Sequence, residues 1–388
     1  MEAERLEPFI IDVFKELHSY PELSHEEFKT TAKIKDVLQR ENIEVLNLPL
    51  KTGLVAKIGN EEGTLVALRA DIDALPIDEG TNLPYASKIP GKMHACGHDF
   101  HTAALLGAAL LLKNAEENLK GGVLLVFQPA EEDARGALKI IDTNALKDAK
   151  VIYGLHTSPL YPVGTLGVSS GPVMAAVDRF TVTFIGKGCH AAHPNEGVDV
   201  IPLVSEFALA LQTIISRNSD PFAANLLSVT KIAAGNTWNV LPDTAELQGT
   251  VRTLTVKDRE MIKTRFYALA EGLATSFNAK VNIDWWDGPP PTINDEHWTD
   301  FAEDIAKKEG FATQSVFPTL SGEDFSEYQE RIPGVYIKVG TGKTHPHHTS
   351  KFTADPAALF PAAKLLAKLA KETLGEITGF GFPTSLSD

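Results

Sequence analysis

The chain has 388 residues, 43% hydrophobic and 22% charged, which is typical of a soluble globular protein with two domains. A formal charge of −15 at pH 7 argues against nucleic acid or a membrane as a partner, and no uninterrupted apolar run is long enough to cross a bilayer. Two cysteines cannot build a disulfide framework, and the first residues lack a secretory-signal pattern, so we expect a cytoplasmic protein.

The first part of the chain, up to about residue 177, alternates between helical and strand patterns. Such alternation predicts an α/β domain in which helices flank a sheet. The predicted elements are, in chain order, helices 7–18 and 26–41, strands 54–58 and 64–70, helix 103–114, and strands 123–127 and 151–155.

A second pattern begins near residue 178 and ends at the proline-rich segment 287–291. Its order, β-α-β-β-α-β, predicts a ferredoxin-like α+β domain inserted into the first one. The elements are strand 179–185, helix 200–215, strands 226–233 and 245–254, helix 257–277, and strand 280–286. We therefore expect a first domain made of residues 1–177 and 290–388, the latter with helices 298–309 and 356–374, and an inserted domain made of residues 178–289.

The segment from His94 to His101 is rich in groups that bind metals, and it lies shortly after strand 64–70. It contains a thiol, three imidazoles and a carboxylate, which are ligands for divalent cations of borderline softness. Cys96 and His98 are two positions apart, so a turn can direct both at one centre. The sequence therefore predicts a metal site at this point.

Other candidate ligands follow the next two predicted strands. Glu131 and Glu132 come after strand 123–127, and His156 closes strand 151–155. Open α/β sheets place their active sites at the ends of strands. One of two adjacent carboxylates can bind a metal while the other accepts a proton from water, which predicts a metal-dependent hydrolase. Composition does not choose between His347 and His348 as a further ligand.

Seven segments together resemble a bacterial N-acyl-amino-acid amidohydrolase. This family belongs to the superfamily of di-metal aminoacylases, glutamate carboxypeptidases and dipeptidases, in the branch with hippurate and auxin-conjugate hydrolases. The resemblance implies a mixed-sheet, di-metal peptidase-like catalytic domain with an inserted lid and dimerisation domain. The matching segments are Arg69–Pro76, Met93–Thr102, Phe127–Glu132, Gly186–Ala192, Asn239–Asp243, Ser321–Phe325 and His347–His348.

The resemblance also implies roles for individual residues. Two divalent cations, manganese, zinc, nickel or cobalt, would be held by five side chains, with Glu131 as the general base and Asp73 orienting a metal-binding group. His190 would reach the active site of a neighbouring subunit, which implies a homodimer formed through the inserted domain. Asn239 and Arg252 would lie near the substrate, with Arg252 suited to a free carboxylate. The implied metal ligands are Cys96, His98, Glu132, His156 and His348.

The function that the resemblance implies is hydrolysis of N-acyl amino acids, first of all N-acetyl amino acids, by a metal-activated water. A metallo-dipeptidase or carboxypeptidase acting on short peptides is the alternative within the same chemistry. An alternative of another class is a non-catalytic metal or thiol sensor, in which Cys96 is redox-active and pairs with Cys189. Cys189 also stands where the family usually has glycine.

Overall fold

The structure, a computed structural model, describes residues 3–60 and 63–380. It divides into two compact units: residues 3–60, 63–171, 293–317 and 324–380 form the first, and residues 172–292 with 318–323 form the second. The unit boundaries therefore lie at 171/172 and 292/293, where the sequence predicts 177/178 and 289/290. Residues 318–323, which the sequence prediction assigns to the first domain, group with the second unit.

The helices and strands alternate as the sequence predicts, with additional short strands. The helices are α1 (Ala3–Ser19), α2 (Phe28–Arg40), α3 (His98–Asn114), α4 (Gly136–Ile141), α5 (Val200–Asn218), α6 (Val256–Ser276), α7 (Glu296–Lys308), α8 (Ser326–Gln329) and α9 (Leu359–Phe380). The strands are β1 (Glu44–Val45), β2 (Leu54–Gly59), β3 (Thr64–Asp71), β4 (Gly121–Gln128), β5 (Ala149–Ser158), β6 (Thr165–Gly167), β7 (Gly171–Met174), β8 (Ala176–Ile185), β9 (Cys189–His190), β10 (Leu226–Ala234), β11 (Val240–Leu241), β12 (Thr244–Thr253), β13 (Lys280–Asp287), β14 (Thr292–Asn294), β15 (Ala312–Gln314) and β16 (Gly334–Gly340).

The first unit is built on a mixed sheet in the order β1-β2-β4-β3-β5-β16-β6-β15. Strand β3 runs parallel to both β4 and β5, and β5 runs parallel to β16. These central strands are buried on both faces, which explains their continuous apolar sequences. Because these strands are parallel, their carboxyl ends meet at one edge of the sheet. The mixed α/β fold predicted from the sequence is confirmed.

Several strand boundaries differ from the predicted ones, and one of them concerns a candidate ligand. The sequence predicts that β5 ends at Leu155, but the strand continues to Ser158 and His156 lies inside it. The neighbouring strand β16 causes the difference, because it pairs in parallel register as far as Ser158 and places Lys338 opposite His156. The apolar sequence pattern stops at Leu155, whereas the backbone pairing with β16 continues to Ser158.

The second unit carries the β-α-β-β-α-β order as β8, α5, β10, β12, α6 and β13, in an antiparallel sheet ordered β10-β12-β8-β13. Burial alternates along β12, so one face packs on helices α5 and α6 while the other is polar. Helix α5 is long and apolar enough to cross a membrane by length and composition, although polar residues such as Glu206 and Gln212 interrupt its apolar run. The same test is passed by core helices, and α5 buries Leu203, Phe207 and Leu211 in this unit.

Candidate metal centre

The centre of the site is the turn between Ala95 and His98, at the carboxyl edge of the sheet. Gly97 has a φ of 87°, and a Cβ at this position would lie 2.6 Å from Thr157 Oγ1. Both the backbone conformation and the close approach require glycine. Cys96 therefore ends the loop and His98 begins α3, so that a sharp turn places their side chains on one centre.

Two imidazoles approach the thiol of Cys96. His156 Nε2 lies 3.4 Å from Cys96 Sγ, and His348 Nε2 lies 3.3 Å from the same sulfur. The other ring nitrogen of His156 donates to the carbonyl oxygen of Thr157 at 2.8 Å. This bond fixes the tautomer of His156 and leaves Nε2 free to bind a cation.

His98 is held by a buried carboxylate on its other side. Its Nδ1 lies 3.1 Å from Asp73 Oδ1, so the ring donates to Asp73 and directs Nε2 into the site. His98 Nε2 lies 3.9 Å from Glu131 Oε2 and equally far from Glu132 Oε1. Although His98 Nε2 and Glu132 Oε1 are buried, neither has a hydrogen-bond partner within residues 3–60 and 63–380. Buried polar atoms of this kind fit a cation between them.

The structure distinguishes the two C-terminal histidines that composition could not. His348 has a φ of 59° and donates its backbone N–H to the Ala95 carbonyl at 2.8 Å, which aims its ring at the thiol. His347 Nε2 instead donates to Thr157 Oγ1 at 3.0 Å, since that hydroxyl already donates to the Cys96 carbonyl oxygen. His348 thus belongs to the group of candidate ligands, and His347 supports that group through Thr157.

The donor atoms form overlapping groups that meet at Cys96. One group contains Cys96, His98 and His156, and another contains Cys96, Glu132 and His348; within each group the ligand atoms lie within 4.8 Å of one another. Two groups that share one thiol suit a pair of cations bridged by a thiolate. The residues present therefore fit a two-metal site.

The surroundings of the site shift the pKa values of its ligands in opposite directions. Burial, and then the neighbouring Glu132 carboxylate, raise the pKa of the Cys96 thiol to about 12. Burial lowers the pKa of His156, whereas at His98 the carboxylates of Asp71 and Asp73 outweigh burial and raise it. A cation that binds here must displace protons from Cys96 and His98, so metal affinity rises with pH.

A buried polar network lies behind the cluster, and no role in it was predicted from the sequence for Arg69. His101 Nδ1 donates to Asp71 Oδ1 at 2.6 Å, and His101 Nε2 accepts the backbone N–H of Thr157 at 2.9 Å. Both ring nitrogens of His101 are therefore used, which makes it a support rather than a ligand. Arg69, fully buried, donates to Asp71 at 2.7 Å and to Asp324 at 3.0 Å. The available signal was a single arginine in an otherwise apolar strand.

In the second unit, the structure brings His190 and Asn239 together. They lie on or beside the short strands β9 and β11, where Val240 is opposite His190, and the Asn239 carbonyl accepts the N–H of Ala191 at 3.0 Å. His190 Nδ1 accepts the N–H of Ala192 at 3.0 Å, so in the neutral ring Nε2 carries the proton. His190 is exposed and presents this N–H as a hydrogen-bond donor.

Arg252 lies apart from that pair, on the polar face of the β10-β12-β8-β13 sheet. A cavity of about 560 Å³ covers this face. The Arg252 guanidinium is half-buried and has no hydrogen-bond or ion-pair partner within the described residues, and burial lowers its pKa. Arg179, in the same cavity, stacks over the Trp286 ring with 4.0 Å from its guanidinium carbon to the ring centroid. The cavity is lined by Arg179, Phe180, Thr181, Thr230, Gln248, Gly249, Thr250, Arg252, Asp284 and Trp286.

Comparison with known proteins gives consistent matches over nearly the whole chain. Residues 67–372 match the model of peptidase family M20/M25/M40. The chain is 50% identical to the N-acetyl-L-cysteine deacetylase of Bacillus subtilis (strain 168), over 95% of this chain and 89% of that protein. It is 44% identical to the N-acetylcysteine deacetylase of the same organism, over 93% and 96%. The crystal structure of the Bacillus subtilis YXEP protein, a dinuclear metal binding peptidase from the M20 family, superposes with a TM-score of 0.87 at 40% identity, covering 96% of this chain and 99% of that one.

Proposed function

The chain belongs to peptidase family M20/M25/M40, and on this premise we propose that it hydrolyses N-acyl amino acids, N-acetyl amino acids first, with two divalent cations bound at Cys96. The observation that carries the proposal is the convergence of donor atoms from distant segments on one thiol, beside the carboxylate of Glu131. The proposed ligands are Cys96, His98, Glu132, His156 and His348. Metal analysis of the purified protein would decide among manganese, zinc, nickel and cobalt.

When bound, the cations would supply Lewis-acid chemistry, which would polarise an amide carbonyl and lower the pKa of water. The protein residues do the rest. Asp73 orients His98, and Glu131 accepts the proton of the attacking water and passes it to the leaving nitrogen. His190 donates its Nε2–H to the developing oxyanion. Arg252, whose guanidinium has no hydrogen-bond or ion-pair partner within the described residues, binds the free carboxylate of the substrate, and Asn239 contacts the substrate near His190.

The first test measures metal and activity together. Protein purified without added cation is analysed for its metal content, treated with chelator, and assayed on N-acetyl amino acids and on dipeptides. We expect chelation to abolish turnover, added divalent cation to restore it, and N-acetyl amino acids to be cleaved more efficiently than dipeptides. Hydrolysis of dipeptides alone would favour the peptidase alternative. Chelation that changes binding behaviour, in a protein with no hydrolase activity to lose, would favour a metal or thiol sensor.

Replacing Glu131 by Gln separates catalysis from metal binding. The amide keeps the shape of the side chain but cannot accept the proton, so we expect kcat to fall at least ~10²-fold while two cations remain bound. The measurement pairs steady-state kinetics with metal analysis of the same sample. Near-normal turnover by Glu131→Gln would reject Glu131 as the base.

A homodimer formed through the second unit is supported by the surface of that unit. Strand β10 ends the sheet and pairs only with β12 within the described residues, which leaves one edge open. Large apolar side chains are exposed in the same unit on α5, on β10, in the loop after β10 and on β11. They are Ile201, Leu209, Ile232, Trp238 and Val240. Sedimentation that shows an active monomer at assay concentration would contradict the dimer.

The action of His190 across the dimer can be tested by complementation. His190→Ala and Glu131→Gln chains, each slowed at least ~10²-fold alone, are co-expressed with different tags and purified as heterodimers. If His190 acts in the partner's site, each heterodimer contains one complete site and recovers about half of the wild-type activity per dimer. If His190 acts within its own chain, the heterodimer stays inactive.

We further propose a cytoplasmic location, because both cysteines are free and the Cys96 ligand requires a thiolate that a reducing compartment preserves.

A further inference from the structure

Three consecutive backbone amides follow strand β4, and each donates to a carboxylate from another part of the chain. Ala130 N donates to Glu27 Oε1 at 2.8 Å. Glu131 N and Glu132 N donate to the two oxygens of Asp73, both at 3.1 Å. Successive N–H groups of this kind form a concavity that binds anions, and here the anions are side chains of the same protein.

The turn that presents these amides has an unusual backbone. Ala130 has a φ of 52°, a left-handed conformation that residues other than glycine rarely adopt. Two further bonds close the turn: Ala134 N donates to the Glu131 carbonyl at 2.7 Å, and Gly136 N donates to the Ala130 carbonyl at 3.1 Å. A strained conformation persists only where its surroundings enforce it, and the Glu27 bond acts directly on the strained residue.

The side chain of Glu27 does not cap its own helix, α2. It occupies the N-cap position of α2, yet its side chain makes no capping bond. Glu22 caps the helix instead, since its carboxylate accepts the N–H groups of Lys29 at 3.2 Å and Thr30 at 2.8 Å. The Glu27 side chain is fully buried, and its second oxygen has no hydrogen-bond partner within the part of the chain that the structure describes. Burial of such a carboxylate costs folding free energy unless the group interacts with another part of the protein.

We propose that Glu27 is a positioning residue, which holds the left-handed turn at Ala130 and thereby aims the carboxylates of Glu131 and Glu132. The inference rests on the proposed function, because it gives Glu131 the role of base and Glu132 the role of ligand. Asp73 fixes the amides of Glu131 and Glu132, and Glu27 fixes the residue before them. The carboxylates of Asp73 and Glu27 together set the direction of the Glu131 and Glu132 side chains. Glu27 itself touches neither substrate nor metal.

The test compares variants that remove the acceptor with one that keeps it. Glu27→Leu removes the acceptor, and Glu27→Asp keeps the charge but shortens its reach. Glu27→Gln keeps an acceptor oxygen at the same reach and removes only the charge. We expect kcat to fall at least ~10-fold in Glu27→Leu and Glu27→Asp, with KM changed less than ~3-fold, and Glu27→Gln to stay within ~3-fold of wild type, since small displacements of a catalytic group are costly.

Glu22→Ala is the matched control, because it removes the cap of the same helix without touching the turn at Ala130. We expect it to lower the melting temperature as much as Glu27→Leu does, while kcat stays near the wild-type value. A second readout needs no metal and no substrate: hydrogen exchange of the peptide spanning residues 128–136, measured in the apo-protein. That peptide should exchange faster in Glu27→Leu and Glu27→Asp, and at the wild-type rate in Glu22→Ala.

Rescue by Ala130→Gly adds a test that a purely structural role would not pass. Glycine adopts a positive φ without strain, so Ala130→Gly should restore part of the kcat lost in Glu27→Leu. If Glu27→Leu turns over normally, or Glu22→Ala loses as much kcat, the positioning role is wrong. Failure of the proposed function looks different: the wild-type protein would then show no metal-dependent hydrolysis, or Glu131→Gln would remain active.

Discussion

The metal centre of the first unit and the polar face of the second unit are built in opposite ways. In the first, Cys96, His98 and His156 are buried, and hydrogen bonds to Asp73 and to the Thr157 carbonyl fix both imidazoles. In the second, His190 is exposed and the half-buried Arg252 has no hydrogen-bond or ion-pair partner within the described residues. The cation site is therefore pre-organised within one unit, whereas the groups proposed to contact substrate leave their donors free for a ligand.

The two cysteines provide the largest contrast between these regions. Cys96 lies between two groups of candidate ligands, so we expect Cys96→Ala to lose bound metal and to lower kcat/KM at least ~10³-fold, more than the loss of a supporting residue behind a ligand. Cys189→Ala, in the second unit, should keep both cations and stay within ~2-fold of wild type. Metal analysis and kinetics on both variants check this. An inactive Cys189→Ala beside an active Cys96→Ala would reverse the assignment and support a thiol-based role for the second unit.

The two neighbouring histidines of the second unit test whether an exposed group there acts in catalysis. His190 presents an N–H through Nε2, and removal of one oxyanion donor costs ~10²–10³-fold in kcat. We therefore expect His190→Ala to lower kcat by about this factor, with little change in KM. His193→Ala, whose ring centroid lies 5.5 Å from that of His190, should change kcat less than ~3-fold. Equal effects of the two substitutions would indicate that only the shape of this loop matters.

Arg252 and Arg179 line the same cavity, and substituting each in turn distinguishes binding of a charged substrate group from packing. Loss of a charge-assisted hydrogen bond costs ~1.5–3 kcal/mol, so Arg252→Met should raise KM ~10–100-fold for N-acetyl amino acids with a free carboxylate. The effect should disappear for the corresponding amino acid amides, which carry no carboxylate. Arg179→Met removes a guanidinium that stacks on Trp286 and should change KM less than ~3-fold. If KM for the amides rises as much, Arg252 supports the sheet and does not bind carboxylate.

Much of this organisation was predictable because it is local. Apolar spacing indicated α1, α2, α5 and α6 and the central strands. The cluster of metal-binding residue types in 94–101 indicated Cys96 and His98, and the position after a strand indicated the Glu131–Glu132 pair. Short strands such as β6 and β15 escaped prediction, because their two or three paired residues carry no periodic pattern. The confirmed family and fold rest on the same local signals, read along the whole chain.

What could not be predicted depends on contacts between distant segments. His347 and His348 differ only in which ring turns towards the thiol, and the φ of 59° at His348, which separates them, arises from the bond to Ala95. Glu27 is a polar residue buried by its partners, and no local pattern shows that burial. Apolar periodicity reports which face is buried, but not which polar side chain a buried site requires.

The smallest expected effect on turnover concerns the buried ion pair of His18 with Asp99 in the first unit, neither of which is a proposed ligand. His18 Nδ1 lies 2.6 Å from Asp99 Oδ2, and His18 Nε2 lies 3.2 Å from Glu79 Oε1, so both ring nitrogens donate to carboxylates. Burial opposes protonation of His18, but the two carboxylates outweigh it and raise its pKa to about 10. Because this pKa lies above the value of about 6.5 in the unfolded chain, the stabilisation is fully present below pH 6.5 and is lost as pH rises through about 10.

Replacing His18 by Gln should therefore destabilise the protein most near pH 6.5 and progressively less towards pH 10, by at most ~5 kcal/mol in the free energy of unfolding. Melting temperatures of wild type and His18→Gln, measured from pH 6 to pH 10, should converge as pH rises, while turnover at pH 7 stays within ~3-fold. His25→Gln is the control, since His25 pairs with Asp133 at a side-chain exposure of 40% and 53%. A constant difference in melting temperature across this range would show that His18 stabilises the first unit through packing and uncharged hydrogen bonds, because only a charged pair loses its contribution by deprotonation.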